Sequence, residues 1–158
     1  MSTLILYISQ HGAAEKSSDI LKTKLKDTPV DVKNLRKDVF NPENYENIIL
    51  GCSIHAGHVQ GKMKKFVKKN ENLLGRKKVG LFITCMEEGA ESQQYFTKNF
   101  DVTFLNKLKT KALFGGEFNF ERMNFLEKAI IKKISGFTET VSHIDENKIE
   151  NFAREFEG

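Results

Sequence analysis

The chain has 158 residues, 39% of them hydrophobic, two cysteines and a net charge of +4, which suits a single domain over residues 1–158 and excludes a disulfide framework. No segment reaches the roughly 20 apolar residues of a membrane-spanning helix, and the N-terminus lacks the basic region of a secretory signal, so the expected location is cytoplasmic. The charge is local: between Gln60 and Gly80 eight basic residues stand against Glu71 alone, giving that segment +7 and leaving −3 for the rest.

Residues 3–8 (TLILYI) form an apolar run too short for a helical period before Gly12, which predicts a buried strand. From Ala13 onward Ile20, Leu21 and Leu25 recur at helical spacing as far as Pro29. VDVKNL (30–35) alternates as a half-exposed strand does, and NIILGC (47–52) reads as a buried one. The lysine-rich segment after it places Met63, Phe66, Val67, Leu73 and Leu74 on one helical face. KVGLFITC (78–85) is the fourth strand, followed by the polar turn MEEGAE and a helix carrying Tyr95, Phe96 and Phe100. A fifth strand is expected around KALFGGEF (111–118). Met123, Leu126, Ile130 and Ile134 then mark a core helix; Phe118, Phe120 and Phe125 do not all fit its buried face, which leaves some aromatic surface beside Lys132 and Lys133. Ile149, Phe152, Ala153 and Phe156 mark a last helix behind an N-cap at Asp145.

Strands alternating with helices imply an α/β fold, a parallel sheet covered on both faces. Five such strands fit the doubly wound order 2-1-3-4-5, in which ligands bind beyond the carboxyl ends of the strands where the order reverses. The loops so placed are 9–14, 53–60 and 86–91. The first, Ser9, Gln10, His11, Gly12, Ala13 and Ala14, joins a strand to a helix start, where backbone amides make an anion site suited to phosphate; an ordinary strand-to-helix turn is the plainer alternative. GHVQGKM (57–63) is not a nucleotide P-loop, because the glycine spacing is one residue short and Met63 stands where a hydroxyl is needed. Cys52, His55 and His58 lack the paired spacing of a metal site, so no metal is expected, and both cysteines read as packing residues. The lysine patch attracts an anionic ligand, a nucleic acid or a lipid surface, or is a solvated helix face.

In GCSIHAGHVQGKMKKFVKK, the residues Gly51, Ser53, Ile54, Gly57, His58 and the run from Phe66 to Lys69 follow the pattern of the menaquinone-dependent protoporphyrinogen IX dehydrogenases, which the chain resembles within the flavodoxin-domain family. The resemblance returns in KISGFTET (133–140) and NFAREF (151–156). It implies a flavodoxin-like three-layer sandwich binding FMN. The phosphate would occupy Ser9 to Ala14, and the isoalloxazine would lie between Ser53, Ile54, His55, Ala56, Gly57 and His58 on one side and Thr84, Cys85, Met86, Glu87, Glu88 and Gly89 on the other. Small residues in the stretch that opens at Gly51 would let amides approach the flat ring, with Ser53, His55 or His58 meeting its edge. The reaction implied is oxidation of porphyrinogen with transfer of electrons to a quinone; the Lys62 to Lys69 face would receive propionates or rest against the inner face of a membrane. This chain departs from the pattern at His11 and Ala14, or at least the latter, where hydroxyls are usual and only Ser9 remains, at His55, often arginine, and between Cys85 and Gly115, where the family's insertion is longer and more basic. A flavodoxin-type electron-transfer protein with a redox partner and a cofactor-free flavodoxin-like interaction domain are the alternatives. No catalytic residue is singled out, no nucleic acid is expected, and the oligomeric state stays open.

Overall fold

A computed structural model describes residues 2–87, 89–118, 124–135 and 140–158. Glu88, Phe120, Met123 and residues 136–139 lie outside it, as does the Ile134 side chain.

The main sheet contains β1 (Thr3–Tyr7), β2 (Val30–Asn34), β3 (Asn47–His55), β5 (Lys78–Thr84) and β6 (Thr110–Leu113), in the order β2-β1-β3-β5-β6. Counting these five alone, this is the expected 2-1-3-4-5, and every pairing along it is parallel. β4 (His58–Val59) hangs on β3 as an antiparallel partner. The helices are α1 (Ala13–Lys24), α2 (Gly61–Lys69), α3 (Glu71–Gly75), α4 (Gln94–Asn99), α5 (Val102–Asn106), α6 (Phe125–Ser135) and α7 (Glu146–Glu157).

The apolar strands carry side chains of both faces into two separate cores, which is why they read as continuous runs. On one face Leu4, Leu6, Ile8, Ile48, Leu50, Leu81 and Ile83 pack with Met63, Val67, Leu74, Tyr95 and Phe96 of α2, α3 and α4. On the other, Ile5, Ile49, Phe82 and Phe114 pack with Ala14 and Leu21 of α1 and with Ile149, Phe152, Ala153 and Phe156 of α7. The second core is aromatic: Phe82 stacks on Phe114 at 4.5 Å and meets Phe152 edge-on at 6.4 Å. Asp145 caps α7 as expected, its carboxylate accepting from the amides of Asn147 and Lys148. Among the described residues no helix is long and apolar enough to cross a membrane.

Three expectations change. The lysine-rich helix breaks at Asn70, whose side-chain amide donates to the Phe66 carbonyl at 2.8 Å, so α2 and α3 are separate pieces. The fifth strand stops at Leu113; the glycine pair behind it turns the chain, Gly115 with φ 81° and Gly116 so close to Cys85 that a Cβ would lie 2.6 Å from its carbonyl carbon. Residues 117–118 instead form β7 (Glu117–Phe118), which pairs antiparallel with β8 (Val141–Ser142) outside the main sheet. The excursion between them carries α6. Finally, α6 is no core helix: Phe125 is 88% exposed, Leu126 67% and Ile130 46%.

Candidate functional site

Because β1, β3 and β5 are parallel neighbours, their carboxyl ends lie side by side, with Tyr7 beside Gly51, Gly51 beside Phe82 and Ser53 beside Thr84. The three loops singled out in the sequence therefore form one crest at the edge where ligands of such sheets bind.

In the first loop Gly12 adopts φ 99°, a left-handed conformation that costs glycine little, and aims the chain into α1. Its amide donates to the Ser9 hydroxyl at 2.9 Å, and Arg36, just beyond β2, donates through Nη1 to the Ser9 carbonyl at 3.1 Å. Among the described residues no side chain caps α1, so its first amides and the positive end of its dipole are directed at the loop. Ala13 and Ala14 are buried; the Ala14 methyl belongs to the core with Ile5, Tyr7 and Ile49. Gln10 is exposed, and His11 is half-buried with Nε2 2.5 Å from Glu127 Oε2 of α6. The Nδ1 of the same ring is buried and has no partner among the described residues. Backbone amides, a hydroxyl and an imidazole make a donor set that fits a singly esterified phosphate.

The second loop is a hairpin with a longer strand on its leading side than the sequence suggested. β3 runs on to His55, and His55 pairs with His58 across the two-residue turn Ala56–Gly57. Both turn residues have positive φ, 51° and 81°, as the type I′ connection of such hairpins requires. Two side chains brace it. Gln60 accepts from the Ser53 amide at 3.2 Å and donates to the Ser53 hydroxyl at 2.6 Å. Asn99 of α4 accepts from the Val59 amide at 3.0 Å and donates to the Gly57 carbonyl at 3.4 Å. Ile54 is partly buried, while the side chains of His55 and His58 and the Ala56 tip are exposed. Gly51 serves the core: a Cβ there would lie 2.2 Å from Phe82 Cζ, so its small size answers to a ring of the protein itself.

In the third loop Thr84 is buried and its hydroxyl donates to the Cys52 carbonyl at 3.4 Å. Cys85 is buried under Gly116, with its amide donating to the Gly115 carbonyl at 3.2 Å. Burial and then the neighbouring Glu87 charge push its thiol up to about 11. Cys52 is fully buried, and desolvation alone raises its thiol far above the ordinary range. Neither thiol is poised as a nucleophile. The neighbouring Glu87 carboxylate, together with burial, raises the Tyr95 phenol to about 12. Met86 is half-buried and Glu87 and Gly89 are exposed at the crest, Gly89 with φ 103°. A cavity of about 500 Å³ lies on the far side of this loop, lined by Glu87, Ser92, Lys111, Lys148, Phe152 and Glu155, away from the first two loops.

Among the described residues no group of three or more His, Cys, Asp and Glu gathers as a metal site. Cys52 points its Sγ at the Phe82 carbonyl inside the sheet while His55 and His58 stand exposed on the hairpin, so the C-x2-H-x2-H set does not converge. The sequence reading missed Arg36, Asn99, Glu117 and Glu127. Each comes from an element distant in the chain, and no local spacing announces it.

A model of the flavodoxin domain family matches residues 4–145. Protoporphyrinogen IX dehydrogenase [quinone] of Escherichia coli (strain K12) is 28% identical over 171 residues, spanning 98% of this chain and 94% of that protein. Among solved structures, the flavodoxin of Streptococcus pneumoniae TIGR4 superposes with a TM-score of 0.61 at 17% identity, covering 99% of this chain and 98% of its own. The Lactobacillus acidophilus NCFM flavoprotein, in its complex with FMN, gives 0.53 at 18% identity over 71% of this chain and 92% of its own.

Proposed function

We propose, on the premise that this chain belongs to the flavodoxin domain family, that it binds FMN and acts as an oxidoreductase, oxidising protoporphyrinogen IX and passing the electrons to a quinone. The observation that carries the FMN reading is the junction of three loops at one sheet edge with the uncapped N-terminus of α1 at Gly12. Ser9, Gln10, His11, Gly12, Ala13 and Ala14 hold the phosphate, chiefly through backbone amides, since Ala14 contributes packing and no donor. The hairpin from Ser53 to His58 and the loop from Thr84 to Gly89 flank the isoalloxazine. Gln60 and Asn99 keep the hairpin rigid, so the wall it offers is preorganised. FMN, when bound, supplies the electron transfer, and the protein contributes binding, orientation and exclusion of water.

The similarity to the Escherichia coli dehydrogenase, which spans nearly the whole of both chains, supports porphyrinogen as substrate and quinone as acceptor. Two surfaces suit peripheral contact with the inner face of a membrane. Lys62, Lys65, Lys68 and Lys69 are exposed along α2, whereas Lys77 donates to the Glu43 and Tyr45 carbonyls and Lys78 sits over the Phe156 ring. The second is the exposed Phe125, Leu126 and Ile130 face of α6 beside Lys132 and Lys133.

The test is an absorption spectrum of the purified protein after FMN is added and excess removed by desalting, followed by porphyrinogen oxidation with a quinone acceptor. A retained flavin spectrum and quinone-dependent turnover are expected. A protein that stays colourless overturns the cofactor; retained flavin without porphyrinogen turnover leaves an electron carrier. Changing the four exposed α2 lysines to glutamate is expected to lower turnover on anionic vesicles, and unaltered turnover removes that surface from the reading.

A further inference from the structure

The segment between β6 and α7 places two carboxylates on the first strand-to-helix unit. Glu117 of β7 lies 3.1 Å from Lys16 on α1, with only 6% of its side chain exposed. Glu127 of α6 reaches His11, in the middle of the loop that presents the anion-binding amides. Its orientation is set locally. The Glu127 amide donates to Asn124 Oδ1 at 2.8 Å, and the Asn124 amide donates to Glu127 Oε1 at 3.5 Å. This reciprocal pair is a capping box, with Asn124 as the cap and Glu127 three residues on. One carboxylate oxygen therefore secures the start of α6, and the other is held out to His11. A phosphate in the same loop and the Glu127 carboxylate are both anions competing for the His11 ring, and two like charges at one site oppose each other.

Building on the FMN reading, we infer that Glu127 is a specificity-determining residue: by holding a carboxylate on His11 it weakens the site for phosphorylated flavin relative to unphosphorylated flavin, and FMN enters by displacing it. The carboxylate is an internal competitor for the phosphate, held at the phosphate end of the proposed site. Removing its charge must therefore favour FMN and leave riboflavin, the same ring system without a phosphate, unchanged. A substitution that merely loosened α6 would act on both ligands alike.

The variant is Glu127→Gln, because glutamine also serves at this position of a capping box and keeps the start of α6. Dissociation constants for FMN and for riboflavin are measured by flavin fluorescence quenching in the wild-type chain and in E127Q. Thermal denaturation without flavin checks that the two proteins melt alike. The expected result is an FMN dissociation constant about 10-fold tighter in E127Q, about 1.4 kcal/mol, with riboflavin within about 2-fold of wild type. An FMN constant that is unchanged or weaker overturns the inference while wild-type binding still upholds the cofactor. Equal tightening of FMN and riboflavin overturns it too, since the effect would then not act through the phosphate. If neither protein binds FMN, the cofactor reading falls and takes this inference with it.

Discussion

Replacing Gly51 with alanine tests whether the glycine that opens the second loop is set by the protein's own core. A methyl at this position would lie 2.2 Å from Phe82 Cζ and 2.6 Å from Cε1, against the roughly 3.5–4 Å of an ordinary carbon contact, so the ring must withdraw by more than about 1 Å. It has little freedom to do so, being fully buried, stacked on Phe114 with an interplanar angle of 15° and edge-on to Phe152. Overpacking of this kind costs about 1–3 kcal/mol, and the loss of glycine's freedom in the unfolded chain returns about 0.4–1 kcal/mol. A net destabilisation of about 1–2 kcal/mol lowers Tm by about 2–8 °C for a chain of this size. Thermal and urea denaturation of G51A, F82L and the double variant complete a cycle. The smaller leucine makes room for the methyl, so the double variant should be more stable than the sum of the single effects by about 1 kcal/mol or more. G51A as stable as the parent, or effects that add within about 0.5 kcal/mol, would refute the steric argument and return Gly51 to the ligand.

Two further outcomes follow from local geometry and from burial. Ala56 carries φ 51° in the hairpin turn, a conformation asparagine tolerates better than alanine, so Ala56→Asn should stabilise the protein by about 1 kcal/mol and raise Tm by about 2–4 °C; a lower Tm would contradict the turn assignment. Folding raises the Cys85 thiol from 9.0 to about 11, so the folded state retains the proton more tightly and this stabilisation is complete below pH 9.0 and lost as pH rises through about 11. Urea unfolding at stepped alkaline pH should show a decline over that window that is shallower in Cys85→Ala, and identical declines would show that the thiol contributes nothing.

Where a feature depends on neighbours in sequence, it was legible. The length of the runs at β1, β3 and β5, and the spacing of Ile149, Phe152, Ala153 and Phe156 behind Asp145, depend on burial of one face or two, and both signals survive in the structure. The same logic explains the misreading of α6. An apolar stripe at helical spacing looks alike whether it meets the core or open solvent, and Leu126 and Ile130 meet solvent. The fifth strand was drawn too long because Phe114 and Phe118 continue its apolar pattern, while the turn at Gly115 is a backbone event that composition only hints at. The three loops were located by topology, yet the partners that brace or occupy them were not. Asn99 and Glu127 meet their loops only through the folding of distant elements, and Gly51 was read against a ligand when Phe82, on the next strand, is its neighbour.

The pairing of Glu117 with Ser142 and of Phe118 with Val141 brings the two ends of the segment that carries α6 side by side. A segment whose ends already meet is a cassette. Changes in length can be absorbed beyond this base while β6 and α7 keep their positions, and the Glu127 contact with His11 ties α6 to the first loop. The core sheet and the surface this cassette presents can therefore change at different rates among related chains, the first constrained by its two packed faces and the second by whatever α6 touches.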